Sequence, residues 1–400
     1  MPTQRDVQPV RTIPDAERRA RLARRHGVDP AARLPDPVAA TEAMTVLHAT
    51  EPATVHLSVH ARVQDVTVDD IEHALYTERS LVKQLAMRRT LFVFPRDLLP
   101  AAWGSASARV AVQHRSRLVK DVEQGGIAVD GAAWLVAAER AVLARLADGS
   151  AHGAKELREA LPELAGRIGG QTDKKYDISI AIAPRVLTQL AVEGRIVRGV
   201  NGGHWRTSRP RWTSMASWLG EVPPPWPAAD GYRELVRRWL RTFGPGTEAD
   251  LVWWLGSTKA AVRTALVEVG AVTVALEDGR PAFLLPDDVD PVGPVEPWAA
   301  LLPVLDPTVM GWKERAWYLG DHGPALFDTN GNAGTTAWWD GRVVGCWVQD
   351  EDGAVRVVAL EPLPAEATAA LQAEADRLTA WLAGVRVLTV YPSPAMVAAR

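Results

Sequence analysis

The sequence holds a single cysteine, Cys346, in 400 residues. That excludes an intramolecular disulfide framework, a cysteine-built zinc finger and a cysteine-held iron–sulfur cluster, and it suits a reducing compartment. No apolar run approaches the roughly 20 residues that a bilayer span requires. The first residues, MPTQRDVQPVRTIPDAERRARLARRHG, are charged and lack an apolar h-region, so no secretory signal is expected and the cytoplasm is the expected location. A GxxxxGK[ST] phosphate loop, a GxGxxG after a strand and a GxSxG elbow are all missing, which leaves ATP, NAD and serine-hydrolase chemistry without support. His56 and His60 have the four-residue spacing that chelates metal on a helix, but no acid of matching geometry accompanies them. Neither a metal nor a cofactor is expected.

What is present is an ordinary globular composition, 47% hydrophobic and 23% charged, at a length that suits two to four domains. The net charge of -3 hides an asymmetry. Between 166 and 215, Arg167, Lys174, Lys175, Arg185, Arg195, Arg198, Arg206, Arg209 and Arg211 face only Asp173, Asp177 and Glu193. The last hundred residues are acidic. Such local sign asymmetry bears on partners more than the total does.

Three segments share one plan, helices and then a β-hairpin. The clearest lies within 131–220. AAWLVAAERAVLARLAD and AKELREALPEL read as helices, and SIAIAPRVLTQLAVEG as a third, with Pro184 marking its start and Gly194 its stop. RIVRGV and HWRTSR then read as strands joined at Asn201-Gly202-Gly203, a tight-turn signal. A second copy, within 228–290, has helices GYRELVRRWLRTFG, TEADLVWWLG and KAAVRTALVEVG, the last capped by Thr258, and strands AVTVAL and PAFLLP. A stiff EVPPPWPAAD linker precedes it. The N-terminal copy, 1–130, is less tidy. DPVAATEAMTVLHAT reads as a helix with Asp36 as cap and Pro37 at its first position, DDIEHALYTE as another, and LVKQLAMRRTLFVF as strand-like runs around Met87–Thr90. Helices followed by a hairpin make the winged-helix arrangement. From 296 to 400, ALLPVL, RAWYLG, TTAWWDGRVVGCWV, AVRVVAL and VRVLTVY read as strands around one helix, AEATAALQAEADRLTAWLAG, a small β-barrel or a sheet crossed by a helix. The fold class is α+β, and tandem winged helices with a basic wing point to duplex nucleic acid.

The order of several blocks resembles the winged-helix DNA glycosylases of the AlkZ and YcaQ type. These are LHATEPATVHLS at 47–58, SLVKQLAMRRTLFVFP at 80–95, GRIVRG…GGHWRTSRPRW at 194–212, DLVWWLGSTKAAVRTAL at 250–266 and NGNAGTTAWWDGRVVGCW at 330–347. The resemblance covers nearly the whole chain. It implies three tandem winged helices and a C-terminal β-barrel that together form a concave DNA-binding surface. It also implies a monomer, acting at the nucleoid on duplex DNA carrying alkylated purines, chiefly N7-alkylguanine and N3-alkyladenine. One branch of the family carries Gln-x-Gln in the first domain and the other Gln-x-Asp. Aligned on the apolar-x-Ala-x-acid-Pro context, those positions fall on His48 and Thr50, so this sequence resembles a third, His-x-Thr branch.

Alkylation at guanine N7 or adenine N3 places positive charge on the base, which then departs neutral without protonation. What remains is to position water and stabilise an oxocarbenium-like sugar. A neutral His48 with an ordinary pKa near 6.5 suits a general base, and the Thr50 hydroxyl suits a second contact to the water. Glu51 adds a carboxylate, but adjacent side chains on a helix diverge. Arg88 and Arg89 are candidate phosphate contacts, as are Lys174, Lys175 and the alternating Arg206, Arg209 and Arg211 of the wing. Trp205, Trp212 and Trp218 read as packing. Two other readings stay open: a DNA-binding lesion sensor or regulator without chemistry, and a winged-helix module that binds protein.

Overall fold

The computed structural model describes residues 8–169 and 179–399. In the first stretch, the Asp36 carboxylate accepts from Ala39 N at 2.8 Å and starts helix Pro37–Ala43, with Pro37 at its first position. The expected helix through Thr50 stops at Ala43, because Thr45 takes a φ of 64° and the chain leaves helical geometry. Leu47–His48 form a short strand instead. Helices Pro52–His60 and Val68–Glu72 follow, the second with a Thr67/Asp70 capping box. The hairpin Leu81–Leu85 and Leu91–Pro95 completes a three-stranded sheet with Leu91–Pro95 in the middle. Its turn is tightened by Arg88 and Arg89 at φ 54° and 58°.

Helix Ala106–Gln124 leads into the second stretch, made of helices Gly131–Arg145, Ala154–Ala160 and Ala183–Val192. The hairpin strands are Ile196–Asn201 and Pro210–Ser214. HWRTSR is therefore not the return strand. The Asn201 amide donates to the carbonyls of Gly203, His204 and Thr207, and its Oδ1 accepts from Arg209 N at 2.8 Å. These bonds replace ladder pairing with a side-chain-stapled loop.

The third stretch holds helices Ala228–Phe243, Glu248–Leu255 and Lys259–Glu268. Thr247 and Thr258 cap the second and third of these. Its hairpin, Val272–Leu276 and Pro281–Leu284, gains a third strand from the far end of the chain, since Thr12–Ile13 pairs in parallel with Val272–Leu276.

The C-terminal sheet is Ala299–Leu302, Thr336–Trp339, Arg342–Gln349 and Val355–Ala359, each antiparallel to the next. Among the described residues its two edge strands do not pair, so the expected barrel is an open sheet. Helix Ala365–Leu382 covers one face, packing Leu371, Ala375, Leu378 and Leu382 with Leu301, Ala337 and Trp347. RAWYLG is a helical turn, Ala316–Leu319, and VRVLTVY runs without a strand partner. One apolar core joins the first stretch, the third and the C-terminal sheet and takes in Val197, Met215, Trp218 and Leu219 of the second, whose helices otherwise pack in a core of their own. A fully buried Arg62–Asp306 pair at 2.7 Å pins the first stretch to the loop after Ala299–Leu302. Among the described residues, no helix is long and apolar enough to cross a membrane.

Candidate active site and DNA interface

The LHAT segment is a strand running into a helix. Leu47 pairs with Val93 and His48 with Phe92, and Ala49 N donates to Leu91 O at 2.9 Å. Thr50 and Glu51 then leave the sheet, and Pro52 opens the next helix. This turn separates the fates of three neighbouring side chains. His48 is 7% exposed, Thr50 is exposed and Glu51 is buried.

The His48 ring meets Phe92 edge-on at 5.3 Å, and its Nδ1 is buried without a hydrogen-bond partner. Burial, with the nearby Arg88 charge as a smaller cause, lowers its pKa to about 3. The imidazole is therefore neutral at physiological pH, as expected, but far less basic than a free histidine. Desolvation penalises the cation, and a like charge adds to the penalty. Glu51 does diverge from its neighbours. Its Oε1 accepts from Thr389 Oγ1 at 2.7 Å and from Val390 N at 2.6 Å, which ties down the C-terminal segment. Burial raises the Glu51 pKa against the opposing effect of those two bonds. Beyond it, between helix Pro52–His60 and the C-terminal sheet, lies a cavity of about 400 Å³ lined in part by Thr54, Leu57, Val304, Trp347 and Val387.

The predicted cations divide. The Arg88 guanidinium lies 3.9 Å over the Trp253 ring, with Arg315 4.9 Å from the same ring. Burial lowers its pKa to about 10. It is thus a docking residue of the hairpin turn: a Cβ on Gly256 would come within 3.0 Å of Arg88 Cγ. Arg89 is exposed and forms no ion pair among the described residues. Arg206 and Arg209 lie in the stapled loop rather than along a strand, and only Arg211 belongs to Pro210–Ser214. Arg206 donates to Arg386 O at 2.5 Å. Arg209 is exposed, and Arg211 is paired with Glu156 at 3.1 Å. Lys174 and Lys175 lie outside the described residues. Trp205, Trp212 and Trp218 are buried, as expected of packing residues. His56 and His60 turn to Trp205 and Trp381, with ring centroids at 5.1 and 4.7 Å.

Two cations were not among the candidate phosphate contacts, although Arg198 belongs to the basic stretch. Lys83, on the first hairpin, donates to Tyr76 Oη at 2.7 Å, and Arg198, on the second, lies 4.7 Å over Trp212. Both line one narrow cleft with Ala49 and Pro52, the residues flanking Thr50–Glu51. A lysine in the middle of the strand LVKQL was the available signal.

No curated protein matches the chain. Among solved structures, Streptomyces sahachiroi DNA glycosylase AlkZ aligns with a TM-score of 0.70 over 92% of this chain and 97% of that one. The two are 19% identical, so this likeness shows the fold alone. The sequence itself matches the DNA glycosylase AlkZ-like family over residues 41–381, most of its length, and the chain belongs to that family.

Proposed function

We propose that this protein hydrolyses the N-glycosidic bond of cationic alkylpurines in duplex DNA, N7-alkylguanine, N3-alkyladenine or a bulkier adduct, in base excision repair or self-resistance. The three helix-and-hairpin stretches act as winged helices and, with the C-terminal region, present a concave surface to the duplex. His48 and Thr50 occupy the family's Gln-x-Gln or Gln-x-Asp positions. The observation that carries this reading is a neutral, weakly basic imidazole beside the exposed Thr50 turn.

Such an imidazole accepts a hydrogen bond from water but holds a proton poorly at pH 7. It orients the nucleophile, and Thr50 supplies a second contact. Water oxygen bonds to the sugar C1′ as the C1′–N bond breaks. The bonding pair passes to the base and cancels its positive charge, and the water proton passes to solvent. No group here is required to protonate the leaving base, which restricts the reaction to lesions that already carry charge. The competing reading, DNA binding without chemistry, draws on the same burial that makes His48 a weak base.

The test is base release from duplexes containing 7-methylguanine, 3-methyladenine or hypoxanthine. Release of the two cationic bases and not of hypoxanthine is expected. Salt-sensitive duplex binding with no release from any of the three would favour the non-catalytic reading.

A further inference from the structure

We propose that Lys83 and Arg198 form a phosphate-binding site that holds the DNA backbone beside the His48–Thr50 turn. The inference rests on the glycosylase reading and adds a binding site to it.

The two side chains come from different stretches, the strands Leu81–Leu85 and Ile196–Asn201, and meet at one cleft. Among the described residues neither has a carboxylate within ion-pair distance. Among the described residues Lys83 Nζ bonds only to the neutral Tyr76 hydroxyl, and the Arg198 guanidinium rests on the Trp212 ring with no hydrogen bond. Neighbouring arginines of the same hairpin are committed, Arg195 to Glu139 and Arg211 to Glu156. Burial lowers Lys83 to about 8, with the Arg198 charge as the next cause, and lowers Arg198 to about 10. Two like charges thus share a desolvated cleft with no carboxylate in contact, and Glu72 offsets the Lys83 charge only from beyond ion-pair distance, an arrangement that a bound anion relieves.

The shape limits what that anion is. The cleft is about 20 Å³, room for about one water. A base or a sugar does not enter, whereas an anionic oxygen at the mouth would face a cleft that both cations line. Thr207 and Ser208 line the same cleft and add hydroxyls. Ala49 and Pro52, which bracket Thr50, are also among the lining residues, so a phosphate held here belongs to the strand lying across the candidate active site. A phosphodiester of DNA and free phosphate share this chemistry.

The experiment is the dependence of duplex affinity on salt for wild type, Lys83→Met, Arg198→Met and Arg198→Lys, each shown folded by circular dichroism. Every phosphate neutralised contributes about 0.9 to the slope of log K against log salt. Both Met variants should lose about that much of the slope, and Arg198→Lys should keep it. The two Met variants also test each other, since one misfolded variant leaves the second informative. Unchanged slopes in folded Met variants would overturn the site. So would unchanged slopes combined with stabilisation of the wild type, but not of the Met variants, by inorganic phosphate at matched ionic strength. That pattern would mark a free-anion site. Wild type without salt-dependent duplex binding would be a different failure, because it removes the glycosylase reading itself.

Discussion

The low basicity of His48 has a direct kinetic consequence. With a pKa of about 3, the ring stays about 99% neutral at pH 5, whereas a histidine at the ordinary 6.5 would be only about 3% neutral there. If His48 orients the nucleophilic water as a neutral acceptor, single-turnover release of 7-methylguanine should be flat from pH 8 to pH 5. An ordinary histidine in that role would lose roughly 30-fold. The assay must stay where the protein is folded, and the structure sets that window too. Burial lowers His26, His48 and His56 to about 3 and His60 to about 2. Each folded pKa lies below the unfolded value, so the unfolded chain binds more protons in acid. The stability these histidines contribute is fully present above about pH 6.5 and is lost as pH falls towards the folded values. The loss reaches up to about 1.4 kcal/mol per histidine for each pH unit. Four such groups rival a typical total stability of about 5–15 kcal/mol within a few pH units. Circular dichroism across the same buffers therefore has to accompany the rates. A rate that falls along a titration centred near 6.5, in protein that remains folded, would refute the reasoning.

Other outcomes follow from single contacts. Asp306→Ala leaves Arg62 buried and unpaired, and should cost about 3–5 kcal/mol in urea unfolding. Gly256→Ala forces a side chain at φ 60° against the Arg88 backbone and should cost about 1–2 kcal/mol by the same measurement. Arg89→Ala should lower the salt slope of duplex binding by about 0.9. Arg211→Ala should leave it nearly unchanged, because Glu156 already neutralises that charge.

Local signals carried much of the fold. Asp36 and Thr258 cap their helices, and the MRRT segment joins two strands, each because a few neighbouring residues suffice to decide the geometry. Failures came where distant partners decide. Leu47–His48 is too short to read as a strand, and only Val93 and Phe92 make it one. Thr12–Ile13 finds its sheet some 260 residues away, on Val272–Leu276. The open C-terminal sheet depends on which edges meet, which alternation does not encode. HWRTSR alternates like a strand, yet the Asn201 amide captures its backbone.

The candidate site divides in the same way. The sequence singled out the LHAT segment and expected Glu51 to diverge as a helix neighbour, but Thr50 and Glu51 lie in a turn between a strand and a helix. The chemistry of His48 was not legible, because Phe92 and Arg88 supply its environment from the hairpin. The presence of Lys83 and Arg198 in one cleft was equally hidden, since they come from two different hairpins.

The most direct measurement is 7-methylguanine release from duplex DNA by wild type, His48→Ala and Thr50→Ala, each shown folded. The account predicts release by wild type and a clear loss in both variants, larger for His48→Ala. Release by wild type that neither substitution reduces would contradict the assignment of the chemistry to His48 and Thr50.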